Sequence, residues 1–337
     1  MGRHMRKVFK VGIVGCGLIG KKRIKALGKD AVLTACSDTD IIKAQFLSKV
    51  TGAKVYSDWR QLVSSNEVEI VIIATRHDSL AEITIAAAEQ GKHILVEKPG
   101  AKNVSELKKM IAIAKKNSVK IHVGFNHRFH NSLRKAKEII DTGELGDLMF
   151  IRGRYGHGGR LGYEKEWRAD PKLSGGGELI DQGTHLIDLS RWFLGEFSNV
   201  EGYACNFFWN MPVEDNSFMT LKTSENKVAF LHASCTEWKN LFSFEIYCEL
   251  GKLDLSGLGG SYGLEKITLY KMLPEMGPPK TISWEYPMAD NSWELEINDF
   301  FEKIRLNKDP TTSLRDAHAV LMTVEAIYKK SGYDYNA

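Results

Sequence analysis

The chain has 337 residues, 43% of them hydrophobic, which is enough for two domains with substantial cores. Its 46 basic and 42 acidic residues are nearly balanced and interspersed, which argues against a nucleic-acid partner. The apolar runs are shorter than a membrane span, so no membrane partner is expected. Five widely spaced cysteines form no C-x-x-C pair, so the sequence supports neither a disulfide framework nor a zinc knuckle, and a reducing cytoplasm fits best. Residues 1–5 are interpreted as a remnant of an expression vector without the features of a signal peptide.

Up to about residue 125, short apolar runs alternate with helical patterns. Such alternation indicates a parallel sheet covered by helices on both faces, and residues 70–74, apolar at every position, suit a central strand. The predicted strands are 8–14, 32–37, 70–74, 93–97 and 120–125, and the predicted helices are 18–27, 41–50, 79–90 and 104–117.

The pattern changes after residue 126. A helix (133–142) and a strand (148–155) lead into a polar loop (156–171) and then a helix that carries Asp181 and His185. Six alternating runs predict a largely antiparallel sheet, and two helices follow it. These runs and helices are 199–208, 217–223, 227–236, 242–249, 266–270, 280–286, 293–306 and 314–330. We therefore expect an α/β protein, with a doubly wound Rossmann domain at 6–125 and a second α/β domain with an open, mostly antiparallel sheet at 126–337.

The first predicted strand leads into Gly15-x-Gly17-x-x-Gly20, which opens a helix, and Asp38 ends the next strand. In this context Gly15 permits a tight turn, Gly17 lets backbone approach a pyrophosphate, and Gly20 lets the helix pack on the strand. The helix N-terminus attracts the anion. A glycine turn in some other α/β domain is the alternative. The expected cofactor contacts are Gly15, Gly17, Leu18, Ile19, Gly20 and Asp38.

The carboxylate of Asp38 suits the hydroxyls of the adenosine ribose and would repel a 2′-phosphate. We therefore expect NAD as the cofactor and regard NADP as less favoured. The nearby basic run 21–23 is interpreted as solvated or as facing the cofactor, where it would offset part of this repulsion.

Lys98 directly follows the predicted strand 93–97, at the carboxyl end of a parallel strand, where open α/β sheets bind ligands. Pro99 suits a sharp turn there. Oxidation of a carbinol requires a base for the hydroxyl proton, and a lysine can serve where burial and positive charge favour its neutral form. A solvated surface lysine is the alternative.

Asp181 and His185 are four residues apart, so on a regular helix they lie about 40° apart and share one face. The glycines 175–177 before them let a ligand come close. Asp188 is placed to orient the imidazole of His185. A helix acid favoured by the macrodipole and a core histidine are the alternatives. No metal-binding spacing connects this pair with His157, so no metal is expected.

Several ordered motifs carry a resemblance that spans nearly the whole chain. They are 11–20, 37–38, 97–99, 124–129, 167–168 and 175–185. On these motifs the chain resembles the glucose–fructose oxidoreductase / inositol dehydrogenase family of nicotinamide-dependent sugar oxidoreductases. The resemblance implies a Rossmann domain followed by an α/β domain whose open sheet often forms oligomer contacts. It thus implies a homo-oligomer, a dimer or a tetramer.

The resemblance also implies roles for individual residues. Lys98 is the expected catalytic lysine, in a motif whose Lys-Pro bond is often cis, and it shares proton transfer with His185 while Asp181 binds or orients the substrate. The chain departs from the family at residues 75–80, Thr-Arg-His-Asp-Ser-Leu, where Thr-Pro-Asn-x-x-His is usual. The departure leaves the contacts to the nicotinamide-side ribose open, and Arg76 is hypothesised to meet an anionic part of the cofactor or substrate.

Loop residues 152–163 bring arginines and tyrosines toward the expected site. Arginine suits phosphate groups and aromatic rings suit sugar or base faces, which favours a nucleotide-linked sugar. The chain also looks most similar to family members encoded with surface-polysaccharide and nucleotide-sugar genes. A solvated loop is the alternative. The further expected cofactor contacts are Thr75, His77, Glu97, Lys98, Asn126, Trp167 and Arg168, and the expected substrate contacts are Lys98, Arg128, Arg154, Tyr155, Arg160, Tyr163, Asp181 and His185.

The leading hypothesis is an NAD-dependent oxidoreductase that exchanges hydride with a carbon bearing a secondary hydroxyl or ketone, in a nucleotide-linked sugar of surface-polysaccharide biosynthesis. One alternative is an inositol or free-sugar dehydrogenase. Another is a redox-neutral enzyme that keeps NAD bound and oxidises the sugar transiently before elimination, epimerisation or hydrolysis. A non-enzymatic NAD sensor is a further alternative, against which the presence of Lys98, Asp181 and His185 argues.

Overall fold

The computed structural model describes residues 7–333, which form two compact units. The first unit runs up to Phe125 and also takes in Trp293–His318, whereas the second comprises Asn126–Ser292 and the chain from Ala319 onward. The interpretation of residues 1–5 and the expected domain start at residue 6 lie outside the described residues. Within residues 7–333, no helix is both long and apolar enough to cross a membrane.

The described residues contain the following regular elements. The strands are β1 (Phe9–Val14), β2 (Ala31–Ser37), β3 (Lys54–Val55), β4 (Ile70–Ile73), β5 (His93–Glu97), β6 (Ile121–Gly124), β7 (Leu148–Gly156), β8 (Phe197–Cys205), β9 (Asn216–Thr223), β10 (Val228–Ser234), β11 (Leu241–Cys248), β12 (Gly251–Ser256), β13 (Glu265–Lys271) and β14 (Lys280–Tyr286). The α-helices are α1 (Leu18–Lys25), α2 (Ile41–Thr51), α3 (Trp59–Val63), α4 (His77–Glu89), α5 (Val104–Asn117), α6 (Asn131–Asp141), α7 (Pro171–Ser174), α8 (Thr184–Leu194), α9 (Ser292–Arg305) and α10 (Leu314–Ser331).

The first unit is built on a six-stranded sheet in the order β3-β2-β1-β4-β5-β6. All neighbouring strands pair in parallel, and the order reverses direction between β1 and β4, as in a doubly wound Rossmann sheet. Strand β4 is buried at every position because helices cover both faces of a parallel sheet. The expected Rossmann sheet is thus confirmed. Strand β3 and helix α3 were not predicted, since two and five residues are too short to show a period.

Helix α9 belongs to the first unit from Trp293 onward, although the sequence places this segment in the second domain. Its residues Ile297, Phe300 and Phe301 are fully buried in one core with Phe9 of β1, and the rings of Phe9 and Phe301 lie 5.2 Å apart. Burial of each such side chain contributes about 1.5–3 kcal/mol, which holds the helix on the Rossmann sheet. The sequence did not predict this packing because α9 and β1 are far apart in the chain.

The second unit is built on an eight-stranded sheet in the order β14-β13-β12-β11-β7-β10-β9-β8. Every neighbouring pair is antiparallel except β7 and β10, so the expectation of an open, mostly antiparallel sheet is confirmed. Burial alternates along β11, which shows that one face packs on a core and the other is open. Strand β12, which was not predicted, joins β11 to β13.

Candidate active site

The glycine loop after β1 has the geometry of a phosphate cradle. Gly15 has φ +97°, and a Cβ there would lie 2.4 Å from the carbonyl oxygen of Ala74. A Cβ on Gly20 would lie 2.0 Å from the carbonyl oxygen of Gly15, so α1 packs directly on the turn. A Cβ on Gly17 would meet open space among the described residues, so a ligand can approach the backbone at this point.

Asp38 is held beside this loop by two backbone donors. Its Oδ2 accepts a hydrogen bond from the Cys16 N–H at 2.7 Å, and its Oδ1 accepts one from the Asp40 N–H at 2.8 Å. Each carboxylate oxygen keeps a further lone pair for a ribose hydroxyl. Leu18 is exposed and Ile19 is half-buried on the first turn of α1. These residues, with the open backbone of Gly17, fit an adenine dinucleotide.

The basic run 21–23 differs from its expected role at one position. Arg23 is fully buried, with its Nε 2.5 Å from Oε1 of Glu97 and a second ion pair to the buried Glu296, and its guanidinium lies over the Trp293 ring. It therefore neither faces the cofactor nor is solvated. Glu97, an expected cofactor contact, directs its carboxylate to Arg23 instead. Burial raises the pKa of Glu97, although Arg23 opposes this shift.

The carboxyl ends of β1, β4 and β5 bring three expected groups to one edge of the parallel sheet. Gly15, Thr75 and Lys98 lie just beyond these strands, at the point where the strand order reverses. Lys98 is half-buried, and the Lys98–Pro99 peptide is cis, as the resemblance implies. His77 is buried in the first turn of α4.

Arg76, between Thr75 and α4, is exposed, and its guanidinium lies 3.3 Å from the carboxylate of Asp78. An exposed ion pair of this kind is weak, so the guanidinium remains available to an anionic ligand. The hypothesis that Arg76 meets an anionic part of the cofactor or substrate stays a prediction.

The segment that carries Asp181 begins with a π-helical turn at Leu179–Gly183, and α8 with His185 follows directly. The two side chains are therefore not on one regular α-helix, and the separation of about 40° does not apply. A π-helical turn holds more residues than an α-helical turn and is often found at functional sites. The sequence contained no sign of it.

Glu214, a residue that sequence reasoning missed, fixes the start of this segment. Its fully buried carboxylate accepts hydrogen bonds from the N–H of Gly177 at 3.0 Å, the N–H of Leu179 at 2.9 Å and the hydroxyl of Tyr328 at 2.7 Å. A Cβ on Gly177 would lie 1.9 Å from the Glu214 carbonyl oxygen, so the glycine permits this contact. Gly177, which was expected to let a ligand come close, is therefore also required for close packing against the backbone of Glu214.

Asp181 is held by Arg168. The guanidinium Nε donates to Oδ2 of Asp181 at 3.0 Å, and the guanidinium also lies over the ring of Trp167, 4.6 Å from its centroid. Burial opposes the charge on Arg168, but Asp181 outweighs it, and the pKa of Arg168 is raised. Arg168, expected as a cofactor contact, orients the carboxylate that the family resemblance assigns to the substrate.

His185 lies in an aromatic cluster. Its buried ring stacks on the ring of His127, and Tyr155 meets both imidazoles edge-on. The ring centroids of Tyr262 and Tyr155 lie 5.1 Å apart. Burial raises the pKa of Tyr155, and the neighbouring Tyr262 adds to this shift. His127 was missed, although it stands inside the motif 124–129 that carries the family resemblance.

Arg128 and Asp188 form a buried ion pair, and the roles expected for them stay predictions. The Nε of Arg128 donates to Oδ2 of Asp188 at 2.8 Å, and Nη2 donates to Oδ1 at 2.5 Å. This bidentate pair holds the Arg128 guanidinium against α8. Asn126 is also buried, and its amide donates to the hydroxyl of Ser292 at 3.0 Å.

The arginines and tyrosines of loop 152–163 do not converge on one surface. Successive side chains of a strand point to opposite faces, so the exposed Arg154 lies on the other face of β7 from the buried Tyr155. Arg160 is exposed and pairs with Glu166 at 2.6 Å. Tyr163 is buried, and its hydroxyl donates to Glu178 at 2.8 Å. Grouping them as one substrate site was wrong for Arg154.

Comparison with known proteins agrees with this architecture. A family model described as an oxidoreductase family with an NAD-binding Rossmann fold matches residues 9–125, and the model of the GFO/IDH/MocA C-terminal domain matches residues 133–254. The inositol 2-dehydrogenase of Salmonella typhimurium is 23% identical over 95% of this chain and 94% of its own length. The levoglucosan dehydrogenase of Pseudarthrobacter phenanthrenivorans is 34% identical, but the match spans only 50% of this chain and 43% of that protein.

A solved levoglucosan dehydrogenase in complex with NADH and levoglucosan superposes with a TM-score of 0.89 at 24% identity, covering 97% of this chain and 98% of that chain. At this identity the likeness establishes the fold. The two matched models together cover most of the chain and belong to one family. The chain is therefore a member of the GFO/IDH/MocA family, an oxidoreductase with an NAD-binding Rossmann domain.

Proposed function

We propose that this protein is an NAD-dependent sugar dehydrogenase acting on a secondary CH–OH group. The observation that carries the proposal lies in the second unit, where Arg168 holds Asp181, and His185, four residues later, stacks on His127. A fixed carboxylate accepts hydrogen bonds from sugar hydroxyls, and an imidazole exchanges a proton with one of them. Such a pair suits a polyhydroxylated substrate.

The first unit supplies the rest of the chemistry. Gly15, Gly17 and Gly20 would hold the pyrophosphate, and Asp38 would hold the adenosine ribose. When bound, the nicotinamide accepts or returns the hydride. Lys98, at the carboxyl end of β5, takes the hydroxyl proton together with His185. Oxidation thus breaks one C–H and one O–H bond: the hydride leaves the carbon, and the proton passes to these side chains.

The named relatives support a free sugar or an inositol as the substrate, since they are inositol and levoglucosan dehydrogenases. The arginines expected to bind a nucleotide phosphate give less support, because Arg154 lies on the outer face of the sheet and Arg160 pairs with Glu166. A nucleotide-linked sugar is the second candidate. It is favoured by the side chain of Arg160, which is 69% exposed in the same loop as Arg168.

The test combines the purified protein with NAD⁺ or NADP⁺ and a panel of free sugars, inositols and nucleotide sugars, and follows the absorbance of the reduced nicotinamide. A rise with NAD⁺ and a free sugar or inositol supports the proposal, and a rise only with nucleotide sugars supports the second candidate. Cofactor that copurifies and survives dialysis, without net reduction, would favour the redox-neutral alternative. A protein that binds NAD but changes no substrate, in either direction, would contradict an enzymatic role.

We also propose that the outer face of the eight-stranded sheet joins copies of this chain into a homo-oligomer. On this face, Tyr203, Phe218, His232 and Arg154 form one row across four strands, and Phe230 lies beside them. Tyr203 is 69% exposed and Phe230 is 54% exposed, and a patch of this kind marks a protein interface. A Phe230→Asp variant should sediment as a smaller species than the wild type. A wild-type monomer would contradict the proposal.

A further inference from the structure

Glu178 is a buried carboxylate that neither the fingerprint nor the proton chemistry explains. It lies just before the π-helical turn and is 1% exposed. Its Oε1 accepts the hydroxyl of Tyr163 at 2.8 Å and lies 3.5 Å from Nε2 of His157. Its Oε2 has no hydrogen-bond partner among residues 7–333. A carboxylate is costly to bury, so its presence here indicates a specific role.

His157 and Tyr163 both come from one segment, residues 157–169, which we call the tethered loop. The regular structure in this loop consists of two short 3-10 turns, Tyr163–Lys165 and Trp167–Ala169. Few backbone hydrogen bonds of regular structure therefore hold it in place. Backbone hydrogen bonds join its first residue, His157, to Ser234 and Glu237, and further along the loop the side chains of Tyr163 and Arg168 contact Glu178 and Asp181.

The tethered loop has two charged connections to the segment around the π-helical turn. Near its start, His157 and Tyr163 contact Glu178. At its end, Arg168 donates to Asp181, three residues after Glu178. Glu178 and Asp181, three residues apart in the chain, thus both contact the same loop. The chain between Tyr163 and Arg168 links the two connections.

The contact at Glu178 depends on its charge. Burial opposes protonation of His157, but the carboxylate of Glu178 outweighs it, and the pKa of His157 is raised. Burial and the same carboxylate raise the pKa of the Cys235 thiol. Replacement by glutamine keeps an acceptor for the Tyr163 hydroxyl but removes the charge that favours the imidazolium of His157. Replacement by alanine removes both contacts.

We propose that Glu178 is a positioning residue for sugar binding, which holds the tethered loop so that Arg168 keeps Asp181 in its binding orientation. The inference rests on the proposed function, because it takes Asp181 as a sugar-binding group. Glu178 itself is 1% exposed, so the role assigned to it is positioning and not a substrate contact. Its loss should therefore weaken sugar binding while leaving the dinucleotide site and the proton transfer in place.

The test compares the wild type with Glu178→Ala, Glu178→Gln and the matched control Glu265→Gln. Glu265 is also a buried carboxylate beside an imidazole, since its Oε2 lies 3.0 Å from Nδ1 of His130. With the sugar that gives the highest rate in the panel, Glu178→Ala should raise KM for the sugar about tenfold, with kcat and KM for NAD⁺ nearly unchanged. Glu178→Gln should recover part of this loss, and Glu265→Gln should leave KM unchanged.

Hydrogen–deuterium exchange gives a second readout that needs no substrate. In Glu178→Ala, the amides of residues 157–169 should exchange faster, while those of the six-stranded sheet should not. An unchanged KM with unchanged exchange would overturn the inference, and so would an equal rise of KM in the Glu265→Gln control. A wild type that is inactive across the panel would instead overturn the proposed function, and the exchange result would still decide whether Glu178 holds the loop.

Discussion

The imidazole of His127 stacks on that of His185, with ring centroids 3.6 Å apart and planes inclined by 21°. His127 lies in a short 3-10 turn and His185 in α8, so the stack joins two elements of the second unit. A flat partner at this distance restricts the rotation of the His185 ring. A proton-transfer group requires such a fixed orientation.

His127→Ala should therefore lower kcat by about tenfold, because the His185 ring loses its stacking partner. His127→Phe should retain most of the wild-type kcat, because phenylalanine preserves a flat face. Steady-state kinetics of the two variants check this expectation. Equal loss in both would show that the imidazole nitrogens of His127, and not the stack, are required.

Lys98→Met should lower kcat by about 10²–10⁴, which is the usual contribution of a positioned acid–base group. The affinity for NADH, measured by fluorescence titration, should fall much less than kcat. Lys108→Met, at an exposed position of α5, is the matched control and should retain full turnover. A Lys98→Met enzyme with wild-type kcat would exclude the lysine from proton transfer.

Two glycine substitutions in one loop should affect different properties, one the affinity for NAD⁺ and the other the stability of the protein. Gly17→Ala adds a Cβ into open space, so the unfolding temperature should stay at the wild-type value while the affinity for NAD⁺ falls. Gly20→Ala places a Cβ 2.0 Å from the Gly15 carbonyl oxygen, so the protein itself should be destabilised. Thermal unfolding without cofactor and NAD⁺ titration separate the two effects. Equal unfolding temperatures would contradict the close packing of α1.

Arg23→Leu should destabilise the protein by about 3–5 kcal/mol at neutral pH, because it leaves Glu97 and Glu296 buried without their common partner. In the wild type, burial tends to raise the pKa of Glu296, but Arg23 has the larger effect and the pKa is lowered. The stability that the ionised Glu296 contributes is therefore lost as the pH falls. Burial raises the pKa of Glu97, which acts in the opposite direction.

Without Arg23 both carboxyls should take up protons more readily in the folded state than in the unfolded state. The loss of stability relative to the wild type should therefore be largest at neutral pH and should shrink as the pH falls toward acid. Urea unfolding at neutral and at mildly acidic pH measures this difference. If the loss of stability of Arg23→Leu relative to the wild type grew as the pH fell, Glu97 and Glu296 would not be the charged groups that Arg23 stabilises.

Local patterns in the sequence were sufficient for most elements. The predicted bounds of β5, α5 and β14 agree with the structure because a continuous apolar run, a helical period and an alternation, respectively, mark these elements. Strand β12 was missed because its six residues follow β11 after a tight turn. The glycine fingerprint could also be predicted from the sequence. The tight turn, the backbone approach to a ligand and the packing of the helix each require glycine at positions that are close together in the chain.

The partners of charged side chains were decided only by the tertiary structure. Arg23 belongs to a basic run that was interpreted as solvated or as facing the cofactor, but it is buried against Glu296, which is remote in the chain. Arg128 and Asp188 neutralise each other, and Arg154 is directed away from Tyr155 by the pleat of β7. A sequence pattern records which groups are present and their local period, whereas burial and pairing depend on which distant segments the fold brings together.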